Sequence, residues 1–362
     1  MSSSARAPAQ QQGFVMLAVI WVLLAMLAGV ALFSHWVHGS LQHAQQRQQQ
    51  INAQIAAQSV MNSVLYIRLV GQRSAYGVNV PDVQAAISED DFMAMFDMDD
   101  MGGLIVNHEK MEQAQTFPFD NRPWRYGGLN FVAQDSAGLL GFTHFSHGYV
   151  AKNLLRKTDS NLREQQLLDS YLDYVDKDNQ RRMSGAEAFD YRLAQRAEPL
   201  NGALRTPLQL RDVMHWDQVL QPWSNGDLLY RLRIAGGATV NLNSAAPEVL
   251  EMILLKPELA NELYQRRRTQ PFTTVFDPEA LINDDAVGVM IQPAEGLRFW
   301  WWEQQSRSAW VYDFTYDGLI GGADALIQGW ALRVDVPAPL RQQTPEVIEW
   351  GMLPSYPDYL GR

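Results

Sequence analysis

The chain has 362 residues, a formal net charge of −11 and no cysteine. Disulfide staples, thiolate catalysis and cysteine-ligated metal are therefore excluded, and the acidic balance speaks against non-specific nucleic-acid binding. The length suits a membrane anchor with one large or two modest domains.

Residues 14–33 read FVMLAVIWVLLAMLAGVALF, an unbroken apolar run. At ~1.5 Å rise per residue such a run matches the ~30 Å hydrocarbon core of a bilayer. A helix satisfies its own backbone there, so the run can span. Arg6 is the one charge before it and Arg47 the first after it. This puts the short leader on the cytoplasmic side and the body across the membrane, a single pass. A cleaved signal peptide competes, but its apolar region is shorter and ends in small residues. Bulky Phe33, His35 and Trp36 follow here, which favours a retained anchor over 14–36. Leu41, Ile51, Ile55, Val64, Leu65 and Leu69 recur at mostly helical spacings, and residues 40–70 contain no proline and no glycine. The spacing predicts an amphipathic extension over 37–71, whose stripe needs a sheet to cover it.

The stretch DDFMAMFDMDDMGG reads as a helix end and a loop. WRYGG and LNFVAQ read as strands around a Gly-Gly turn, and DSAGLLG as a turn, giving a first sheet portion over 72–155. His144 and His147 have no acid at zinc-enzyme spacing and are ordinary histidines. A helical block then covers 156–292. Leu167, Leu168, Tyr171, Leu172 and Val175 form the apolar face of one helix, closed by a polar turn at Asp176, Asp178, Asn179 and Gln180. Thr206 and Pro207 fit N-cap and first turn of another. Asn243 or Ser244 can cap a helix starting at Pro247, in a form like a SAM or helix-hairpin-helix unit, with a second piece starting at Asp277. The turn SAAP lacks strongly basic flanks, and Arg266, Arg267 and Arg268 read as a solvated helix end, so nucleic acid is not an expected partner.

RFWWWEQQ, AWVYDFTYDG and ALIQGWALRVDVP read as returning strands over 293–342, ended by Pro337 and Pro339. A loop-rich tail follows over 343–362. Trp300, Trp301 and Trp302 cannot all face one way on a strand. One side belongs to the core; the other either meets a partner or is core as well. No GxSxG, HExxH, P-loop or GxGxxG is present, so the chain is not expected to be an enzyme.

The pair Gly13–Phe14 before the apolar run resembles the leader boundary of type IV pilins and type II secretion pseudopilins. The resemblance implies cleavage between Gly13 and Phe14 by a prepilin peptidase and methylation of the new N-terminus at Phe14. Ala18 then falls at mature position five, where most relatives carry glutamate. A carboxylate in hydrocarbon costs several kcal/mol unless paired, so alanine suits a subunit lacking the usual neighbour. The K-type minor pseudopilins depart in the same way. LLDSYLDYVDKDNQRRMSGAEAFDY, GALRTPLQLRDV and VNLNSAAPEVLEMIL resemble further signatures of that family, in order, although Ser244 replaces a threonine and Tyr174 a tryptophan.

The resemblance implies an α+β fold, with the long N-terminal transmembrane helix packed on an antiparallel sheet and a large α-helical domain inserted. It implies a tip complex with I-type and J-type minor pseudopilins, with the H-type and major pseudopilins as further neighbours. The setting it implies is the bacterial inner membrane, N-terminus cytoplasmic and body periplasmic. Calcium sites in the family's helical domain favour Ca2+ at Asp176, Asp178 and Glu187, with Asp173 in reserve. From the residues alone the choice stays open between a cation loop, of non-EF-hand spacing, and a solvated acidic turn. The alternatives are a minor subunit of a type IV pilus or competence system, or a membrane-anchored periplasmic interaction module.

Overall fold

The computed structural model describes residues 11–75, 77–80, 96–98, 104–106, 116–142, 147–158, 161–234, 239–274, 288–294, 296–317 and 325–348. The chain divides into two units, Met1–Ala56 and Ala57–Arg362. The first unit is helical from Gln11, as the start of helix α1 (Gln11–Val70). Straight-chain Leu, Met, Ala and Gln residues dominate it, and these lose little side-chain freedom in a helix. Leu17, Trp21, Leu24 and Phe33 are exposed. By length and composition this helix is long and apolar enough to cross a membrane. The expected anchor and extension are thus one helix; the leader residues before Gln11 lie outside the described residues.

In the second unit the remainder of α1 is followed by β1 (Arg73–Ser74), β2 (Gly77–Asn79), β3 (Phe96–Met98), β4 (Leu104–Val106), β5 (Thr116–Phe117), β6 (Trp124–Tyr126), β7 (Leu129–Asp135) and β8 (Leu140–Gly141). The helical block holds α2 (His147–Lys157), α3 (Glu164–Val175), α4 (Ala188–Leu193), α5 (Trp216–Val219) and α6 (Asn225–Arg231). After β9 (Leu232–Arg233) and β10 (Val240–Asn241) come α7 (Pro247–Leu254) and α8 (Pro257–Thr269). The chain ends through β11 (Val289–Met290), β12 (Leu297–Glu303), β13 (Ser308–Asp317), β14 (Ala325–Asp335), α9 (Ala338–Gln342) and β15 (Glu346–Val347).

The main sheet has six strands in the order β14-β13-β12-β7-β6-β15. It is antiparallel except where β15 joins β6 in parallel. The central pair, β7 with β12, joins strands on either side of the whole helical block, with Val132 opposite Trp300 and Phe131 opposite Trp301. Strand alternation then sorts the side chains. Phe131, Ala133, Phe299 and Trp301 share a core with Ala57, Val60, Met61, Val64 and Ile67 of α1. Val132, Trp300 and Trp302 face the other way, into the core of the helical block. The α1 residues recur every three or four positions, the spacing that lays one helix stripe on a sheet. Each fully buried side chain of this size contributes about 1.5–3 kcal/mol.

The α+β order expected from the sequence is the one observed. Local details differ. Residues 96–98 and 104–106 form an antiparallel pair of strands where a helix end and loop were expected. The helical block begins earlier than residue 156, at His147, because α2 packs its Tyr149, Val150 and Leu154 into the block's core. Thr206 and Pro207 open a 3-10 turn, Pro207–Arg211. The tail contributes β15 instead of loop alone. His144, the Asp277 start and residues 349–362 lie outside the described residues.

Candidate functional site: an acidic pocket at the end of α3

Helix α3 presents Asp169 and Asp173 one turn apart, and both are buried with Leu167 and Tyr174. Asp176 is its C-cap. The chain turns through residues 177–181 and returns antiparallel to the acidic face. Asp169 accepts from the Gln165 amide at 2.7 Å and from the Ser184 N–H at 3.1 Å. Asp173 accepts from the Arg182 N–H at 3.2 Å. Gly185 is required at the crossing: an added Cβ would sit 2.0 Å from Asp173 Oδ2. Glu187 then stands immediately before α4, its N–H donating to Asp190.

The outcome is a cluster of Asp173, Asp176 and Glu187, with one carboxylate oxygen from each lying within 4.8 Å of the others. Asp173 is fully buried and Glu187 is 4% exposed. Oδ1 of Asp176 and both oxygens of Glu187 are buried and lack a hydrogen bond of good geometry, Glu187 lying close only to the first backbone N–H groups of α4. Burial, then the charges of Asp173 and Asp176, push the Glu187 carboxyl above its ordinary range. The last turn of α3 adds the partial negative charge of a helix C-terminus. The site is therefore built to attract positive charge.

Of the four residues expected as ligands, the structure brings three together and leaves one out. Asp178 is exposed, and its carboxylate accepts from the Gln180 N–H at 2.8 Å, an Asx-type turn. Asp173 takes its place because it lies one helical turn before Asp176 and shares its face. Sequence reasoning missed Arg182. Its Nη1 donates to Asp173 Oδ1 at 2.5 Å and to Asp176 Oδ2 at 2.6 Å. The hydrogen bond to Asp176, then that to Asp173, hold the guanidinium above its ordinary range against partial desolvation. The available signal was a pair of arginines directly after the acidic turn.

A second polar centre was only half legible. Asn243 and Ser244 do not cap α7; Ala246 stands there with no side-chain bond. Asn243 holds the Phe272 N–H and the Phe272 and Ile291 carbonyls instead. Ser244 Oγ donates to the buried Asp135 carboxylate at 2.6 Å, joined by Asn241 at 2.9 Å. Arg267 is also not part of a solvated helix end: it is 4% exposed and donates to the Leu242 carbonyl at 2.5 Å.

The remaining expected residues are placed as follows. Gly13 and Phe14 lie in the first turn of α1, and Ala18 is exposed on it. The partner-facing expectation for Trp300, Trp301 and Trp302 is corrected. They are 0%, 6% and 5% exposed, because α1 covers one face of β12 and the helical block the other. Trp300 donates its indole N–H to Gln134 at 3.1 Å, and Trp301 stacks on Trp310.

No family model matches the chain, and no curated protein matches it. Among solved structures, the chain is similar to a chain of the GspK–GspI–GspJ complex from the type 2 secretion system of enterotoxigenic Escherichia coli. The match covers 59% of this chain and 82% of that one, at 12% identity and a TM-score of 0.37.

Proposed function

We propose that this chain is a K-type minor pseudopilin of a type II secretion system, seated at the tip of the periplasmic pseudopilus. The observation that carries this reading is the insertion of the entire helical block between β7 and β12. These are neighbouring strands of a sheet whose other face is covered by the end of one long apolar helix. A pilin-like core with so large an addition on one sheet face suits a terminal position, where no further subunit need stack above it. The role is mechanical. Cleavage between Gly13 and Phe14 frees and exposes Phe14 to N-methylation; α1 holds the subunit in the inner membrane until assembly. Ala18 carries no charge that would need a neighbour's amino terminus. The expected partners are the I-type and J-type minor pseudopilins, with the H-type and major subunits below.

Calcium belongs to the same proposal. Asp173, Asp176 and Glu187 would hold it. The buried and poorly satisfied carboxylate oxygens of Asp176 and Glu187 support this, since such acceptors are costly unless something satisfies them. An all-oxygen set of high negative charge fits a hard cation, with further oxygens completing the six to eight that calcium takes. Bound there, the ion would offset most of the cluster's negative charge and tie the end of α3 to the start of α4.

The test is expression of the full chain in cells with a prepilin peptidase, alone and with I-type and J-type subunits. Intact mass and N-terminal sequencing are expected to find methylated Phe14 as residue one, and the three subunits are expected to co-purify. A mature end near Trp36, an uncut chain where other pilins are processed, or a monomer indifferent to both partners would overturn the reading.

A further inference from the structure

We propose that Arg182 is a built-in competitor for the cation of the acidic pocket, so that filling the site is an exchange of an internal positive charge for an external one. This rests on the calcium reading above and adds a residue that gates it. A single nitrogen, Nη1, lies 2.5 Å from Asp173 Oδ1 and 2.6 Å from Asp176 Oδ2. Calcium–oxygen bonds are about 2.3–2.6 Å long. The guanidinium therefore stands where an ion shared by these two carboxylates would have to stand, and both cannot occupy it. The third carboxylate receives no side-chain donor: Glu187 faces only the first backbone N–H groups of α4. Arg182 thus satisfies two members of a three-member set and leaves the one a divalent ion would add.

The geometry also lets Arg182 leave. Its side chain is 37% exposed, whereas that of Asp173 is fully buried. Its backbone N–H is bound separately to the Asp173 carboxylate at 3.2 Å, and Ser184 N–H to Asp169 at 3.1 Å. The guanidinium can swing to solvent while the returning segment stays on α3. The pocket is therefore assembled before the ion arrives, and its apparent affinity is lowered by the charge that must first be expelled. Such a site fills where free calcium is abundant, as outside the cytoplasm, where modules of about 10⁻⁴–10⁻³ M affinity operate. The pocket then reports that the body has crossed the membrane.

The experiment uses the full chain in detergent, stripped with chelator and titrated calorimetrically with calcium chloride. Arg182→Gln is expected to bind roughly tenfold more tightly than the parent or better, since a full positive charge at contact distance is removed. Equal or weaker binding by Arg182→Gln, with the parent binding, overturns the exchange and leaves the calcium reading intact. No binding by either chain overturns the calcium reading and the exchange with it. A second measurement needs no variant. Phenylglyoxal labelling of Arg182 in the parent, read by mass spectrometry, is expected to rise several-fold when calcium is added. Labelling that is unchanged or reduced while calcium binds is the contrary result.

Discussion

Replacing Arg298 by methionine tests how the helical block is fixed to the sheet. Arg298 lies on β12 directly opposite Asp313 of β13 and is 1% exposed. Its Nε donates to Asp313 Oδ1 at 2.7 Å, while Nη1 reaches the Leu232 carbonyl at 2.8 Å and that of Leu229. Leu229 lies in the last turn of α6 and Leu232 is its C-cap, so one guanidinium joins the sheet to the helical block and complements the helix C-terminus. The planar group also lies 4.9 Å over the Trp330 ring. Methionine keeps most of the volume and removes every donor. Breaking a buried pair from one side costs about 3–5 kcal/mol, because the remaining carboxylate is left without its partner. Adding Asp313→Leu should recover much of that loss, since the orphaned charge goes too. Urea titration of the full chain in detergent, followed by tryptophan fluorescence, measures both variants. A loss under about 1 kcal/mol at unchanged m-value would refute the argument, since water would then be serving Asp313 as well as Arg298 does.

Three further outcomes are expected. Asp227 accepts from the Ala338 N–H at 2.9 Å and pins α9 to α6. Although burial opposes it, this bond, Arg231 and Ser224 hold its carboxyl below the usual carboxylate range. Its contribution is therefore present above the unfolded pKa and lost as pH falls through the folded one. Thermal midpoints should drop at acid pH, and Asp227→Asn should flatten that dependence while costing about 1.5–3 kcal/mol at neutral pH. Gly185→Ala drives a methyl group to 2.0 Å from Asp173 Oδ2. It should destabilise by about 1–3 kcal/mol and lower calcium binding in the same calorimeter. Ala18→Glu places a carboxylate in the apolar run. It should lower membrane insertion by a few kcal/mol on a glycosylation-scale insertion assay, and unchanged insertion and complex formation would remove any special meaning from that position.

Much of the fold was legible because it is periodic. The long apolar run, the three-and-four spacing over 57–70 and the alternation in LNFVAQ and RFWWWEQQ each report a local geometry. The tryptophan triplet shows the limit of such signals. Alternation correctly separates Trp301 from Trp300 and Trp302, yet whether the second face is covered depends on a block inserted elsewhere in the chain. The same limit explains the acidic pocket. Asp176 and Glu187 were legible as acids flanking a turn. The choice of Asp173 over Asp178 follows from where the helix ends, at Asp176, and helix boundaries are weakly encoded locally. Arg182, Arg267 and the Asp135–Ser244 bond were invisible for a shared reason: each meets its partner only through the return of the chain.

The pairing of β7 with β12 also constrains the order of events during folding. Leu129–Asp135 is synthesised long before Leu297–Glu303, its neighbour on one side. Until then β7 is an open edge with apolar side chains on both faces, a template for wrong pairing. Closing so long a loop late is slow unless something shortens it. A block that compacts first, drawing Gln134 to Tyr230 through the 2.9 Å bond between them, would bring the two edges together. Chains truncated before Leu297 are thus the ones a quality-control protease or an aggregate should claim, and zipping of the final strands would mark a subunit ready to be used.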